Sequence, residues 1–159
     1  MEGQRFESPL SPFFDEAEIS WSPDSKQIAY TVKRLTGKEY ARSTDSDIIL
    51  YNISTGEEVN ISEGNRGYDR CPVFSPDGSK IAYQSMERDG YESDLNRLFI
   101  YDIENASRSW VTKGWDFDVE SVNFLIFCYI HYLLCCLHSC IWARFKPVCL
   151  NKHSSASYP

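Results

Sequence analysis

Ser75-Pro76-Asp77-Gly78-Ser79-Lys80-Ile81-Ala82-Tyr83 reads SPDGSKIAY, and 53 positions earlier Ser22 to Tyr30 reads SPDSKQIAY. Each copy follows a short apolar run, EISW (Glu18–Trp21) and CPVF (Cys71–Phe74). The repeated letters specify a tight turn between two strands. Pro23 and Pro76 supply the fixed φ wanted at the second turn position. Asp24 and Asp77 suit the third, and Gly78 tolerates a left-handed exit. Ser25 stands where Gly78 does, which predicts about 1 kcal/mol of extra backbone cost in the first copy.

After each turn the chain alternates. In QIAYTV, Ile28, Tyr30 and Val32 are placed on one face and Ala29 and Thr31 on the other; KIAYQS repeats this with Ile81 and Tyr83. A third run matches at an offset of 50, DIILYNI (Asp47–Ile53) over RLFIYDI (Arg97–Ile103), and a fourth, EVNIS, is echoed by SWVTKG. Four strands in roughly 50 residues, repeated head to tail, form the unit of a β-propeller blade. An antiparallel sandwich also uses short strands, but the aligned copies of turn, strand and tyrosine favour the propeller.

The expected architecture is therefore all-β: a partial β-propeller of two four-stranded antiparallel blades and the first strand of a third. Residues 1–17 read as a lead-in, 18–64 and 68–114 as the blades, and 119–124 as the third blade's first strand, with Phe124 where Trp21 and Phe74 stood. SPDG falls due next, but the chain reads LIFC, and residues 125–159 form an apolar, cysteine-rich tail. Blades bury both faces against neighbours, so some of Tyr30, Val32, Ile49, Tyr83 and Phe99 are expected to face water in an incomplete ring.

Charge marks the same break. Residues 1–124 hold 13 Lys and Arg against all 23 acidic residues, a balance of −10. The tail has 3 basic residues and no acid, with five of the six cysteines and all three histidines. The acidic body offers no nucleic-acid surface. MEGQRFESPLSPFF lacks the basic and apolar regions of a secretory signal, so cytoplasmic residence is the expectation. Three N-x-S sequons, at Asn52, Asn60 and Asn105, matter only in a secretory compartment.

SPDG followed by K-I-A-Y resembles TolB-like propellers and those of the prolyl oligopeptidase family of serine peptidases. Longer segments narrow the likeness: LTGKEYARSTDSDIILYN (Leu35–Asn52), GYDRCPVFSPDG (Gly67–Gly78) and SMERDGYESDLNRLFIYD (Ser85–Asp102) resemble the amino-terminal propeller of the dipeptidyl-peptidase V and acylaminoacyl-peptidase-like branch. Over residues 10 to 124, the resemblance implies a truncated propeller that in its parent caps an α/β-hydrolase domain and admits short peptides. No catalytic residue carries over. Such a hydrolase needs G-x-S-x-G with a later Asp and His. None of the eight glycines here builds that elbow, and the repeat region contains no histidine. The expected function is a non-catalytic propeller portion of a serine exopeptidase, without metal or cofactor. Its expected partners are the parent's hydrolase domain and short peptides. A TolB-like protein-interaction module and a tail-anchored membrane protein are the alternatives.

Two inter-strand segments carry the candidate contact residues. One holds Glu87, Arg88, Asp89, Tyr91, Glu92 and Asp94; its counterpart in the first unit holds Tyr40, Arg42 and Asp45. Both join second to third strands and should emerge on one rim, either as contacts for a hydrolase domain or a peptide amino terminus, or as solvated loops. In the tail, Leu125 to Ala143 is apolar for 19 residues, which admits a membrane helix. Cys128, His131 and Cys135 fall on one helical face near Cys136, His138 and Cys140, but match no standard zinc spacing. The abrupt change of composition also fits sequence read through an intron or in a shifted frame, which is the reading preferred here.

Overall fold

In the computed structural model, which describes Ser8 and residues 18–124, 140–141 and 148–150, both SPD turns close alike. Ser25 N–H donates to Ser22 O at 2.9 Å and Gly78 N–H to Ser75 O at 2.8 Å. The serine hydroxyls donate to Asp24 (2.7 Å) and Asp77 (2.6 Å), then accept from Gln27 N–H and Lys80 N–H across the turn. Ser25 adopts φ 58° and Gly78 φ 72°, so the first copy does place a non-glycine residue in the left-handed region.

These turns join β1 (Ile19–Trp21) to β2 (Gln27–Val32) and β5 (Asp69–Phe74) to β6 (Lys80–Ser85). The first sheet continues through a single helical turn, α1 (Gly37–Tyr40), to β3 (Asp47–Asn52) and β4 (Glu58–Asn60). The second continues with β7 (Arg97–Asp102) and β8 (Ser107–Trp110). Both are four-stranded, antiparallel and in sequence order. Their registers repeat: Ile28 pairs with Tyr51 and Tyr30 with Ile49, as Ile81 pairs with Tyr101 and Tyr83 with Phe99. Two hydroxyls repeat as well, Ser62 Oγ accepting from Ile48 N–H and Thr112 Oγ1 from Leu98 N–H.

The two sheets stack face to face. Ala29, Ile48, Leu50 and Ile61 of the first meet Phe74, Ile81, Tyr83 and Tyr101 of the second in one buried cluster. The second sheet's opposite face, Ala82 and Leu98, packs on Val119 and Val122. Each buried side chain of this size contributes about 1.5–3 kcal/mol, so the stacking is what holds such short strands. Polar links cross at the inner strands, where Phe74 N–H donates to Ser20 Oγ at 3.2 Å and Cys71 N–H to the Glu18 carboxylate at 3.3 Å.

Three expectations need correction. Tyr30 (7% exposed), Val32 (1%), Ile49 (1%) and Tyr83 (1%) are buried rather than wet, and of the five residues named Phe99 alone is half-buried. Tyr83 lies in the inter-sheet core, and the Tyr30 hydroxyl donates to Glu58, which also takes Arg34. The bare face of the first sheet shows instead on its inner strand, where Trp21 is 58% and Ile19 42% exposed. Secondly, β5 starts at Asp69 rather than at Cys71, because a bulge between Arg70 and Val73 with Cys71 at φ 52° lets the strand continue backwards. Thirdly, β9 (Val122–Phe124) pairs antiparallel with β11 (Val148–Leu150), which pairs with β10 (Cys140–Ile141). The helix considered for 125–143 lies mostly outside the described residues; at 140–141 the backbone is strand. Among the described residues no helix is long and apolar enough to cross a membrane.

Candidate functional site: the fused rim loops

The connections 33–46 and 86–96 come together on one rim through Asp89. Its Oδ1 accepts from Ser43 Oγ at 2.6 Å and Thr44 N–H at 2.8 Å, and Gly90 N–H donates to Thr44 Oγ1 at 3.0 Å. The Ser43 hydroxyl and these amides hold the Asp89 carboxyl below its ordinary range. The approach is close: a Cβ on Gly90, at φ 69°, would stand 3.2 Å from Arg42 O.

Each remaining candidate has a definite place. Asp94 accepts from Glu87 N–H (3.0 Å), Arg88 N–H (2.8 Å), Leu95 N–H (2.9 Å) and the Arg88 guanidinium (2.9 Å). The guanidinium bond leads these in holding the carboxyl well below the usual range. Arg88 also lies 4.0 Å over the exposed Tyr91 ring. Glu87 pairs with the buried Arg97 at 3.1 Å. In the first loop, Lys33 Nζ donates to the carbonyls of Tyr40 and Ser43 and lies 4.2 Å over the Tyr40 ring. Arg42 is exposed, its N–H donating to Glu39 O at 3.1 Å. Asp45 is half-buried; burial, then Asp47 and Asp89, raise its carboxyl. Glu92 is exposed.

The structure therefore brings Asp89 to the Ser43–Thr44 segment and ties Glu87, Arg88 and Asp94 into one brace, while Glu92 and Tyr91 point their exposure at solvent. The Asp89 and Asp94 carboxylates act as local caps for backbone N–H groups of the two loops. Sequence reasoning missed Lys33 and Arg97, whose buried charges hold the two loops from below. Their only signal is position, as the cations at and beside the ends of otherwise apolar strands.

No group of metal-ligating side chains occurs among the described residues. Cys128, His131, Cys135, Cys136 and His138 lie outside them, and Cys140 is described only as a strand residue paired with Cys149.

With stacked four-stranded sheets and their shared rim established, comparison with known proteins supplies the family. Dipeptidyl-peptidase 5 of Porphyromonas gingivalis is 48% identical over 124 residues, 78% of this chain. The chain carries propeller sequence of the dipeptidyl-peptidase 5 branch. The Porphyromonas endodontalis dipeptidyl-peptidase 5 is 53% identical over 100 residues, covering 63% of this chain and 14% of the relative. A probable dipeptidyl-peptidase 5 of Aspergillus niger is 31% identical over 127 residues, covering 75% and 18%. The chain spans 18% of the length of the P. gingivalis relative. No family model matches the chain. Among solved structures, the AtxE2 isopeptidase is 16% identical with a TM-score of 0.50, covering 69% of this chain and 18% of that one, a likeness of fold alone. A TolB structure from Agrobacterium tumefaciens is 24% identical with a TM-score of 0.42, covering 60% and 29%.

Proposed function

We propose that this chain is a non-catalytic propeller portion of a dipeptidyl-peptidase, serving peptide hydrolysis by shaping access to a serine active site that other sequence provides. The observation that carries this is the agreement over 124 residues with a dipeptidyl-peptidase 5, in a stretch holding no G-x-S-x-G and no histidine before His131. The braced rim of loops 33–46 and 86–96 is the surface proposed to meet the parent's α/β-hydrolase domain or an entering short peptide. Loops cross-linked by hydrogen bonds suit that role, since a contact surface ordered in advance loses little entropy on docking.

A chimera tests the reading. Residues 18–124 would replace the matching stretch of the P. gingivalis enzyme, and cleavage of dipeptidyl substrates would be measured. Retained kcat/KM within about tenfold, which corresponds to about 1.4 kcal/mol, supports an equivalent propeller role. A folded chimera with activity lost by a larger factor refutes it. The chain alone should show no turnover and no fluorophosphonate labelling.

A further inference from the structure

Asp69 opens β5 at the seam between the two sheets, and it is fully buried. Its backbone is interlocked with the first sheet: Ser46 Oγ donates to Asp69 O at 2.8 Å and accepts from Asp69 N–H at 3.1 Å. Ser46 N–H also donates to Gly67 O at 3.4 Å. The side chain has less support. Oδ1 accepts from Asn65 Nδ2 at 2.9 Å, an amide that also donates to Met86 O (2.8 Å) and Ser85 Oγ (3.2 Å). Oδ2 is buried and accepts no hydrogen bond.

The surroundings favour a neutral acid. From β3 comes Asp47, a like charge held by Asn60 Nδ2 at 2.8 Å. From β6 come Tyr83 and Ser85, and the latter's hydroxyl donates to Met86 O at 3.5 Å. Ser62 Oγ, beyond β4, donates to Asn60 Oδ1 at 3.2 Å. The guanidinium of Arg97 on β7 bonds Ser85 O and Glu87, and that of Arg108 on β8 bonds Ser62 O. Among the described residues, no cation pairs with Asp69. A buried carboxylate without a cation is costly, and protonation removes the charge that burial penalises.

We propose that Asp69 is a proton-operated latch on the inter-sheet seam, which holds the sheets together when neutral and loosens them when ionised. Burial is the main cause that pushes this carboxyl up to about 7, with Asp47 adding to it and the Ser85, Ser62 and Asn65 contacts opposing. In an opened seam the group meets water and returns toward its ordinary value of 3.8. The closed form therefore binds the extra proton. Its advantage is complete below the lower value, declines as pH rises through the interval, and is gone above the upper one. The latch thus fastens in mildly acidic surroundings and slackens toward neutrality.

The test is amide hydrogen exchange on the full chain from pH 5 to 8, corrected for intrinsic rates and read in peptides covering 46–50 and 67–71. The corrected opening constant should rise by about tenfold per pH unit between pH 5 and 6.5 and level off near pH 8. Asp69→Asn should flatten that rise. If this variant does not fold, Asn65→Ala, which removes a donor that favours the carboxylate, should move the midpoint upward. The wild-type chain provides the decisive measurement through the carbon-13 carboxyl resonance of Asp69. Titration above pH 6 supports the latch. A midpoint below pH 5, or an opening constant independent of pH, overturns it.

Discussion

Phe74 and Trp21 occupy one position of the repeat, the last residue of the inner strand before the SPD turn, yet Phe74 is 7% and Trp21 58% exposed. Phe74 lies in the inter-sheet cluster with Ile48, Leu50 and Ile81; Trp21 stands on a face without that cover. Truncating each to alanine isolates what stacking contributes at a fixed sequence position. Phe74→Ala removes a buried ring and leaves a cavity, which costs about 3–5 kcal/mol. Trp21→Ala removes a ring already largely hydrated, for a cost of less than about 1 kcal/mol. Urea unfolding of the full chain, followed by far-ultraviolet circular dichroism because one variant loses a tryptophan, would measure both. With a slope of about 1–3 kcal/mol per M, Phe74→Ala should lower the midpoint by at least about 1 M and Trp21→Ala by a small fraction of that. Equal shifts would mean that the two faces are covered alike in solution, and the stacking described above would be wrong.

Three further outcomes are expected. Gly67→Ala should destabilise by about 1–3 kcal/mol, since its Cβ would fall 2.3 Å from Met86 O and the backbone itself must shift; unchanged urea midpoints would refute this. Ser25→Gly should stabilise by up to about 1 kcal/mol by relieving a left-handed serine, whereas a loss would show that the Ser25 side chain matters more than its backbone. Asp89→Ala should cost at most about 1 kcal/mol globally because the group is exposed. It should nonetheless raise hydrogen exchange in 40–46 and 86–92 together. Exchange changed in only one loop would show that Asp89 does not join them.

The strands and turns were legible because the sequence writes them twice: a local rule, proline then aspartate then a residue able to turn left, fixes both hairpins before any tertiary contact exists. The face assignments were half legible. Alternation separated Tyr30 from Ala29, but both are buried: Ala29 in the inter-sheet cluster, and Tyr30 in a second cluster with Val32 and Ile49 on the opposite face. The bulge at Cys71 was not legible, since a left-handed cysteine beside Pro72 follows no compositional cue and is held by Glu18 from 53 residues away. Nor was the pairing of β9 with β11, which joins residues with no repeat relation. On the rim, spacing placed both loops together. It could not show that Asp89 and Asp94 cap backbone amides instead of meeting solvent, because that depends on loop geometry and not on residue type.

The repeat offset is 53 residues for the first two strands of each sheet and 50 for the last two, so the three-residue difference falls wholly between the second and third strands. There the first connection spends its surplus on α1, yet both sheets keep identical registers on either side of it. Length change is thus absorbed at one rim and invisible to the stacked core. A lineage of such units can lengthen, shorten or exchange what it displays on that rim without renegotiating the packing below, so divergence among relatives should concentrate there first.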